Sequence, residues 1–141
     1  MSTGVTVADA VVEQFTEFKK SSNKITFVIF KIADGKDGQI VTEHTSGEGE
    51  VFDTFASLLP EDDCRYAIYQ VDFTTNDGRP ANKLVSITWA PDTARVKQKM
   101  IYAGSKDALT RVFVGVAVKI NATDRSELTM DIIVEACKKF A

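Results

Sequence analysis

The fold is decided by the stretch Lys83-Leu84-Val85-Ser86-Ile87-Thr88-Trp89-Ala90-Pro91-Asp92, in which a strand leads directly into the start of a helix. Its β-branched and apolar residues predict a strand over 83–89, and Pro91-Asp92 is typical of a helix start. The segment 64–73 has the same strand character, and Asn76-Asp77-Gly78-Arg79-Pro80 supplies turn residues between the two. The sequence therefore predicts a long β-hairpin followed by a helix.

Upstream of this hairpin, the sequence predicts two helices and a shorter hairpin. Apolar residues at helical spacing predict amphipathic helices over 8–20 and 50–59. Between them, β-branched and aromatic residues predict strands over 25–32 and 39–43, separated by the turn sequence Asp34-Gly35-Lys36-Asp37-Gly38.

Downstream, the helix after Pro91 runs toward Phe113 and is followed by a short buried strand over 116–120. A C-terminal helix then has one apolar face, formed by Met130, Ile133, Val134 and Cys137. Two hairpins and a strand reached through a long helix predict the α/β class, with a mixed, mainly antiparallel five-stranded sheet sandwiched by helices. Because 141 residues are the usual size of one compact domain, we expect a single domain over 1–141.

Charge and hydropathy exclude several classes of partner. The net charge of −3 leaves no general attraction to the phosphates of nucleic acids. No apolar stretch approaches the roughly 20 residues needed to cross a bilayer, and the N-terminus lacks a signal-peptide core. We therefore expect a cytoplasmic protein with no nucleic acid partner and no stable membrane insertion. We also expect a monomer. No Lys/Arg cluster indicates nuclear import, and nuclear entry is left open.

Residues that carry catalytic or metal chemistry are sparse. His44 is the only histidine, which excludes a metal site built on a pair of histidines. Cys64 and Cys137 are expected to be reduced thiols, and a buried packing role is favoured over a catalytic one. The acids Glu61-Asp62-Asp63 are consecutive loop residues that point in divergent directions. We expect no catalytic residues, no metal and no cofactor, and hence no enzyme.

The long helix does not fit a purely structural interpretation. Stepping about 100° per residue places one set of side chains on the side that packs on the sheet: Ala94, Ile101, Ser105, Ala108, Leu109 and Val112. The opposite side carries Val96, Met100, Ala103, Asp107 and Thr110, bordered by Lys99 and Lys106 along one edge and by Lys97 and Arg111 along the other. An exposed Met between lysines is typical of a protein-recognition surface. A kink at Gly104-Ser105 would instead turn Met100 into the core, and spacing alone leaves both alternatives open.

Longer segments of the sequence decide between these alternatives. They are Gly4-Val5, Leu59-Pro60-Glu61-Asp62-Asp63-Cys64-Arg65-Tyr66-Ala67-Ile68-Tyr69, Trp89-Ala90-Pro91-Asp92-Thr93-Ala94, Lys97-Gln98-Lys99-Met100-Ile101-Tyr102-Ala103, Ser105-Lys106-Asp107-Ala108-Leu109, Ala122-Thr123-Asp124 and Ser126-Glu127. In this order, they closely resemble the ADF/cofilin family over nearly the whole chain. The resemblance implies the ADF-homology fold. It also implies a non-enzymatic protein that binds monomeric and filamentous actin, prefers the ADP form, and severs and depolymerises filaments.

The resemblance further implies two surfaces that contact actin. The first, which we call the monomer-binding set, consists of Thr3, Gly4, Val5, Lys97, Lys99, Met100, Ser105, Lys106 and Arg111. The second touches the neighbouring subunit of a filament; this filament-binding set consists of Arg79, Asn82, Lys83, Glu135, Lys138 and Lys139. In the family, the long helix inserts between two actin subdomains.

Regulation is also implied by the resemblance. Relatives are often inhibited by phosphorylation near the N-terminus, and Ser2 or Thr3 would be the site here; an unmodified or acetylated terminus is the alternative. Phosphoinositides are a further expected ligand, since basic helix edges suit their head groups. Two other functions stay open: an actin monomer or filament-side binder that does not sever, and a signalling module that binds acidic phospholipids.

Three positions depart from the family pattern. Thr110 stands where many relatives carry a basic residue, and Ala81 and Ala136 stand where some carry arginine on the filament side. We expect monomer binding to survive these changes, and severing strength is left open.

Overall fold

The computed structural model describes residues 5–21, 26–33, 38–46, 52–116 and 118–139. Within these ranges the chain forms six strands and four α-helices. In chain order they are β1 (Thr6–Val7), α1 (Asp9–Ser21), β2 (Phe27–Ala33), β3 (Gln39–Thr45), α2 (Phe52–Leu58), β4 (Arg65–Thr74), β5 (Pro80–Trp89), α3 (Val96–Val112), β6 (Val118–Ala122) and α4 (Met130–Lys139). A 3-10 turn, Arg125–Glu127, precedes α4. None of the helices in the described ranges combines the length and apolar character that crossing a bilayer requires.

The strands form one mixed sheet in the order β1-β3-β2-β4-β5-β6. The three inner pairings, β3 with β2, β2 with β4 and β4 with β5, are antiparallel. The two outer pairings, β1 with β3 and β5 with β6, are parallel. The predicted class, a mixed and mainly antiparallel sheet between helices, is confirmed. The structure adds a sixth strand, β1, whose two residues are too few to produce a periodic pattern.

Helices cover both faces of the sheet because side chains alternate along the strands. On one face, Phe27 and Trp89 pack with Phe55 of α2 and Ile133 of α4. On the other face, the side chains of the neighbouring strand positions pack with α1 and α3; Phe30, Tyr66, Phe15 and Ile101 belong to this second core. The helix with the unusual pattern, α3, is thus held on the side of the sheet opposite α4.

The helix α3 begins at Val96, later than predicted from Pro91-Asp92. The chain between β5 and α3 is tied to the end of β6, because the backbone N–H of Ala90 donates to the carbonyl of Ala122 (2.9 Å) and that of Asp92 donates to the carbonyl of Thr123 (3.0 Å). Arg95 then remains extended, with φ −63° and ψ 140°. These contacts with a distant strand delay the start of the helix.

Pairing with β5 also corrects the predicted position of the last strand. Val118 lies opposite Val85 and Ala122 lies opposite Trp89, so β6 occupies 118–122 and not 116–120. After β6, the guanidinium of Arg125 donates to the carbonyls of Ala56 (2.7 Å) and Leu59 (2.8 Å) at the end of α2. The start of α4 is thereby fastened to α2.

Candidate functional site

The outer face of α3 is apolar and exposed. Val96 is 68% exposed and Met100 is 66% exposed, although both are large apolar residues. Ala103, Asp107 and Thr110 lie on the same outer side. Ile101 and Leu109 are buried against the sheet. The predicted exposure of Met100 is confirmed, and the alternative of a kink that turns it inward is wrong, since α3 is helical from Val96 to Val112.

Two tyrosines set the orientation of α3 on the sheet. The hydroxyl of Tyr102 accepts a hydrogen bond from the backbone N–H of Ile32 in β2 (2.9 Å). The hydroxyl of Tyr66 in β4 donates to the backbone carbonyl of Tyr102. Burial raises the pKa of both phenols, so each stays protonated at neutral pH. These bonds fix the rotation of α3 about its axis and therefore which residues face outward.

The basic border along one edge of α3 is anchored to neighbouring elements. The ammonium of Lys99 donates to the backbone carbonyl of Asp92 (3.3 Å), and that of Lys106 donates to Oδ1 of Asn121 in β6 (3.1 Å). Lys106 thus lies at the edge that faces β6, and Lys99 lies beside the connection from β5 to α3. Lys97 and Arg111, predicted for the other edge, are exposed. The structure therefore places Met100 between cations whose positions are partly constrained.

Two members of the monomer-binding set lie apart from this outer face. Ser105 is only 3% exposed, and its hydroxyl donates to the carbonyl of Ile101 one turn earlier (2.7 Å). It belongs to the packed side of α3, as the helical spacing predicted, and its membership of the monomer-binding set stays a prediction from the resemblance that this burial does not favour. Val5 is buried in the core between the sheet and α1. Thr3 and Gly4, together with the predicted modification site Ser2, lie outside the described residues.

The filament-binding set is divided between the two faces of the β4–β5 hairpin. Asn82 lies on the α3 face, where its amide donates to Asp72 (2.6 Å) and accepts from Gln70 (3.1 Å). Its neighbour Lys83 points to the opposite face, because successive side chains of a strand alternate. The partly buried Ala81, two residues away, packs into the core beneath α4. Asn82 is therefore separated from Lys83 by the sheet.

The structure brings Lys83 close to α4. Burial raises the pKa of the Cys137 thiol on the inner side of α4, and the nearby ammonium of Lys83 opposes this shift. On the outer side of α4, Glu135 forms an ion pair with Lys138 (Nζ to Oε1, 3.9 Å), and Lys139 is exposed. These four charged residues occupy one side of the molecule, while Arg79 lies at the hairpin turn.

Neither cysteine has the properties of a nucleophile. Both are buried and free of disulfides. Burial, reinforced by the charge of Asp63, raises the pKa of Cys64 to about 11, so the thiol stays protonated at neutral pH. His44 stacks on Phe27 with ring centroids 5.8 Å apart. Within the described ranges, no group of three or more His, Cys, Asp and Glu side chains could hold a metal ion.

Comparison with known proteins connects this geometry with a family. The family model of the cofilin/tropomyosin-type actin-binding protein matches residues 4–138. The chain is 42% identical to cofilin of Yarrowia lipolytica over 139 residues, covering 98% of this chain and 89% of the relative. It is 39% identical to actophorin of Acanthamoeba castellanii over 136 residues, which is 96% of each chain.

Comparison of the three-dimensional fold points to the same family as the sequence comparisons. The crystal structure of cofilin from Streptomyces griseoflavus superposes with a TM-score of 0.85 at 37% identity, covering 97% of this chain and 99% of that one. Family members are actin-binding proteins and not enzymes. By its matched length, its identity to these relatives and its fold, the chain belongs to the ADF/cofilin family of actin-binding proteins.

Proposed function

We propose that this protein binds actin monomers and filaments through the outer face of α3, and that it severs and depolymerises filaments. The observation that carries the proposal is the exposed apolar pair Val96 and Met100, presented between lysines on an uninterrupted helix. We place the activity in the cytoplasm, on the actin cytoskeleton. The relatives' names, cofilin and actophorin, support the assignment.

The chemistry of this face suits a cleft on an acidic protein. A thioether adapts its shape to an apolar pocket, and burying it removes apolar surface from water. Lysines around it attract carboxylates and orient the encounter. Because the ammonium groups of Lys99 and Lys106 are already hydrogen-bonded to backbone and side-chain oxygens, they have less freedom to lose on binding.

Severing requires contact with a second subunit of the filament. Lys83, Glu135, Lys138 and Lys139 form a charged surface on the side of the sheet opposite α3. A protein that engages two subunits at once favours the inter-subunit geometry that satisfies both of its surfaces. Filaments would then be twisted where they are decorated and would break at the edges of decorated stretches.

The severing step is tested by imaging single filaments over a range of protein concentrations. Breaks inside filaments, increasing with concentration below full decoration, support the proposal. Shortening from the ends or side binding without breaks would instead indicate the alternative of a non-severing actin binder. Parallel measurements on ADP-actin and ATP-actin test the proposed preference for the ADP form.

The charged surface at α4 leads to a selective prediction. The double change Lys138→Ala and Lys139→Ala is expected to weaken filament cosedimentation roughly 5-fold or more, because each lost charge contact at an interface costs about 0.5–1 kcal/mol. Affinity for monomers should stay unchanged, since α3 lies on the other side of the sheet. The matched control is Lys31→Ala, a lysine on β2 that pairs with Glu43 (3.9 Å). An equal loss of monomer binding would contradict two separate surfaces.

A cleft between α3 and β6 supports a phosphoinositide as a second ligand of the protein. Its volume is about 230 Å³, and Lys106, Lys119 and Asn121 are among its lining residues. Two ammonium groups and an amide suit the phosphates of a phosphoinositide head group, and the carboxylate of Asp107, which also lines the cleft, offsets part of this positive charge. Since Lys106 also belongs to the monomer-binding set, the lipid and actin would compete for it. The same cleft supports the alternative of a signalling module for acidic phospholipids.

Because Lys119 is outside both actin-binding sets, a substitution at this position distinguishes lipid binding from actin binding. Lys119→Ala is expected to weaken binding to vesicles that contain phosphatidylinositol bisphosphate by roughly 5-fold, since a basic residue near such a surface contributes about 1 kcal/mol. Actin affinity should be retained. Unchanged vesicle binding would contradict the cleft as the lipid site. Vesicle binding by a protein without any affinity for actin would favour the signalling module.

A further inference from the structure

The turn between β4 and β5 is closed by an unusually complete set of hydrogen bonds around Thr75. Its backbone N–H donates to the carbonyl of Arg79 (2.8 Å), and its carbonyl accepts from the N–H of Gly78 (2.9 Å). Gly78 has φ of 88°, a conformation that residues with a Cβ rarely adopt. The backbone of the turn therefore places Thr75 and Arg79 opposite each other at the tip of the hairpin.

The Thr75 side chain joins both halves of an ion pair at this tip. Its hydroxyl oxygen accepts a hydrogen bond from the backbone N–H of Arg79 (3.0 Å) and donates its own proton to Oδ1 of Asp77. The other carboxylate oxygen of Asp77, Oδ2, lies 3.0 Å from Nε of Arg79. One hydroxyl thus holds the backbone of the arginine and orients the carboxylate that holds its side chain.

We propose that Thr75 is a positioning residue for filament binding, which sets the guanidinium of Arg79 for a carboxylate on the neighbouring filament subunit. The inference rests on the proposed function and on the prediction from the resemblance that Arg79 belongs to the filament-binding set. With Nε bound to Asp77, the two terminal nitrogens of Arg79 are left as a planar fork, and the side chain is 78% exposed. Such a fork matches the two oxygens of a carboxylate.

Thr75 is needed because an exposed ion pair by itself holds an arginine weakly. Solvent screens the attraction, and the long side chain resists confinement. Here the hydroxyl of Thr75, more than the arginine, lowers the pKa of Asp77, so the carboxylate stays ionised well below neutral pH. The arginine is therefore partly ordered before it meets a partner, which reduces the entropy lost on binding.

The test is the pair of variants Thr75→Ala and Thr75→Ser, compared in filament cosedimentation and in monomer binding. Thr75→Ala changes no charge, and it is expected to weaken filament affinity roughly 2- to 10-fold, the effect of releasing one ordered long side chain. Thr75→Ser keeps the hydroxyl, so its affinity for filaments should equal that of the wild type. Monomer affinity should be unchanged in both. Thr74→Ala, the preceding exposed strand residue, is the matched control and should bind filaments normally.

Arg79→Ala, measured alongside, separates this inference from the proposed function. Reduced affinity in Arg79→Ala with wild-type affinity in Thr75→Ala would overturn the role of Thr75 and leave the filament surface intact. Wild-type affinity in Arg79→Ala would remove Arg79 from the filament interface and overturn the role of Thr75 with it, while the filament surface at α4 is tested separately by the Lys138→Ala and Lys139→Ala variant. If Thr75 acts through Arg79, the double variant binds no more weakly than Arg79→Ala. Additive losses, or a loss of monomer affinity in Thr75→Ala, would show a general structural role and overturn the inference.

Discussion

Replacing Met100 with aspartate is expected to weaken binding to both monomeric and filamentous actin by roughly 30-fold or more, the effect of losing about 2 kcal/mol at the centre of an interface. The thioether would be replaced by a carboxylate that must be desolvated and that faces an acidic partner. Because Met100 is two-thirds exposed, the free energy of unfolding should change by less than about 1 kcal/mol. Fluorescence titration with labelled monomers and filament cosedimentation measure the two affinities.

Val12→Asp is the matched control for this prediction. Val12 is also a large apolar residue on the outside of a helix, 42% exposed, but it lies on α1 and outside both actin-binding sets. The same substitution there should leave both affinities unchanged. Wild-type affinity of Met100→Asp would remove α3 from the interface. An equal loss in both variants would indicate a general effect of the added negative charge.

Phe27→Ala is expected to lower the free energy of unfolding by about 3–5 kcal/mol, the usual cost of deleting a buried aromatic ring. Phe27 is fully buried at the centre of an aromatic cluster. Its ring centroid lies 5.1 Å from that of Phe55 and 5.8 Å from those of Tyr69 and His44. The truncation would leave a cavity on the α2–α4 face, and urea denaturation measures the loss as a lower midpoint with an unchanged slope.

The location of Phe27 makes this variant informative about function as well. Its cluster lies on the face of the sheet opposite α3, so the folded fraction of Phe27→Ala should keep its affinity for actin monomers. Val12→Ala, at an exposed position, should cost less than about 1 kcal/mol. A loss below 1 kcal/mol in Phe27→Ala would contradict the central role of the aromatic cluster.

The sequence predicted the features of α3 that depend on local periodicity. A helix repeats every 3.6 residues, so the spacing placed Ile101 and Leu109 on the sheet. For Met100 the spacing left exposure and a kink open, and the resemblance to the ADF/cofilin family decided for exposure. The same spacing placed Ser105 on the packed side, whereas it did not place Tyr102 there. The hydroxyl of Ser105 is satisfied by its own helix, and that of Tyr102 by β2, so both polar residues are buried without penalty.

Features that depend on distant segments could not be predicted from local pattern. The start of α3 at Val96 and the two-residue strand β1 are both set by pairing with segments far away in the sequence. The separation of Asn82 from Lys83 is different, because adjacent strand residues necessarily face opposite ways. The alternation along β5 is a signal in the sequence that is sufficient to divide the filament-binding set between the two faces.

The connection from β5 through α3 to β6 ties the proposed actin-binding helix to the edge of the sheet. Both ends of α3 continue into adjacent parallel strands, and β6 is the outermost strand of the sheet, paired with β5. Fraying of β6 from the edge of the sheet would therefore free the strand that follows α3, while the other end of the helix would stay continuous with β5.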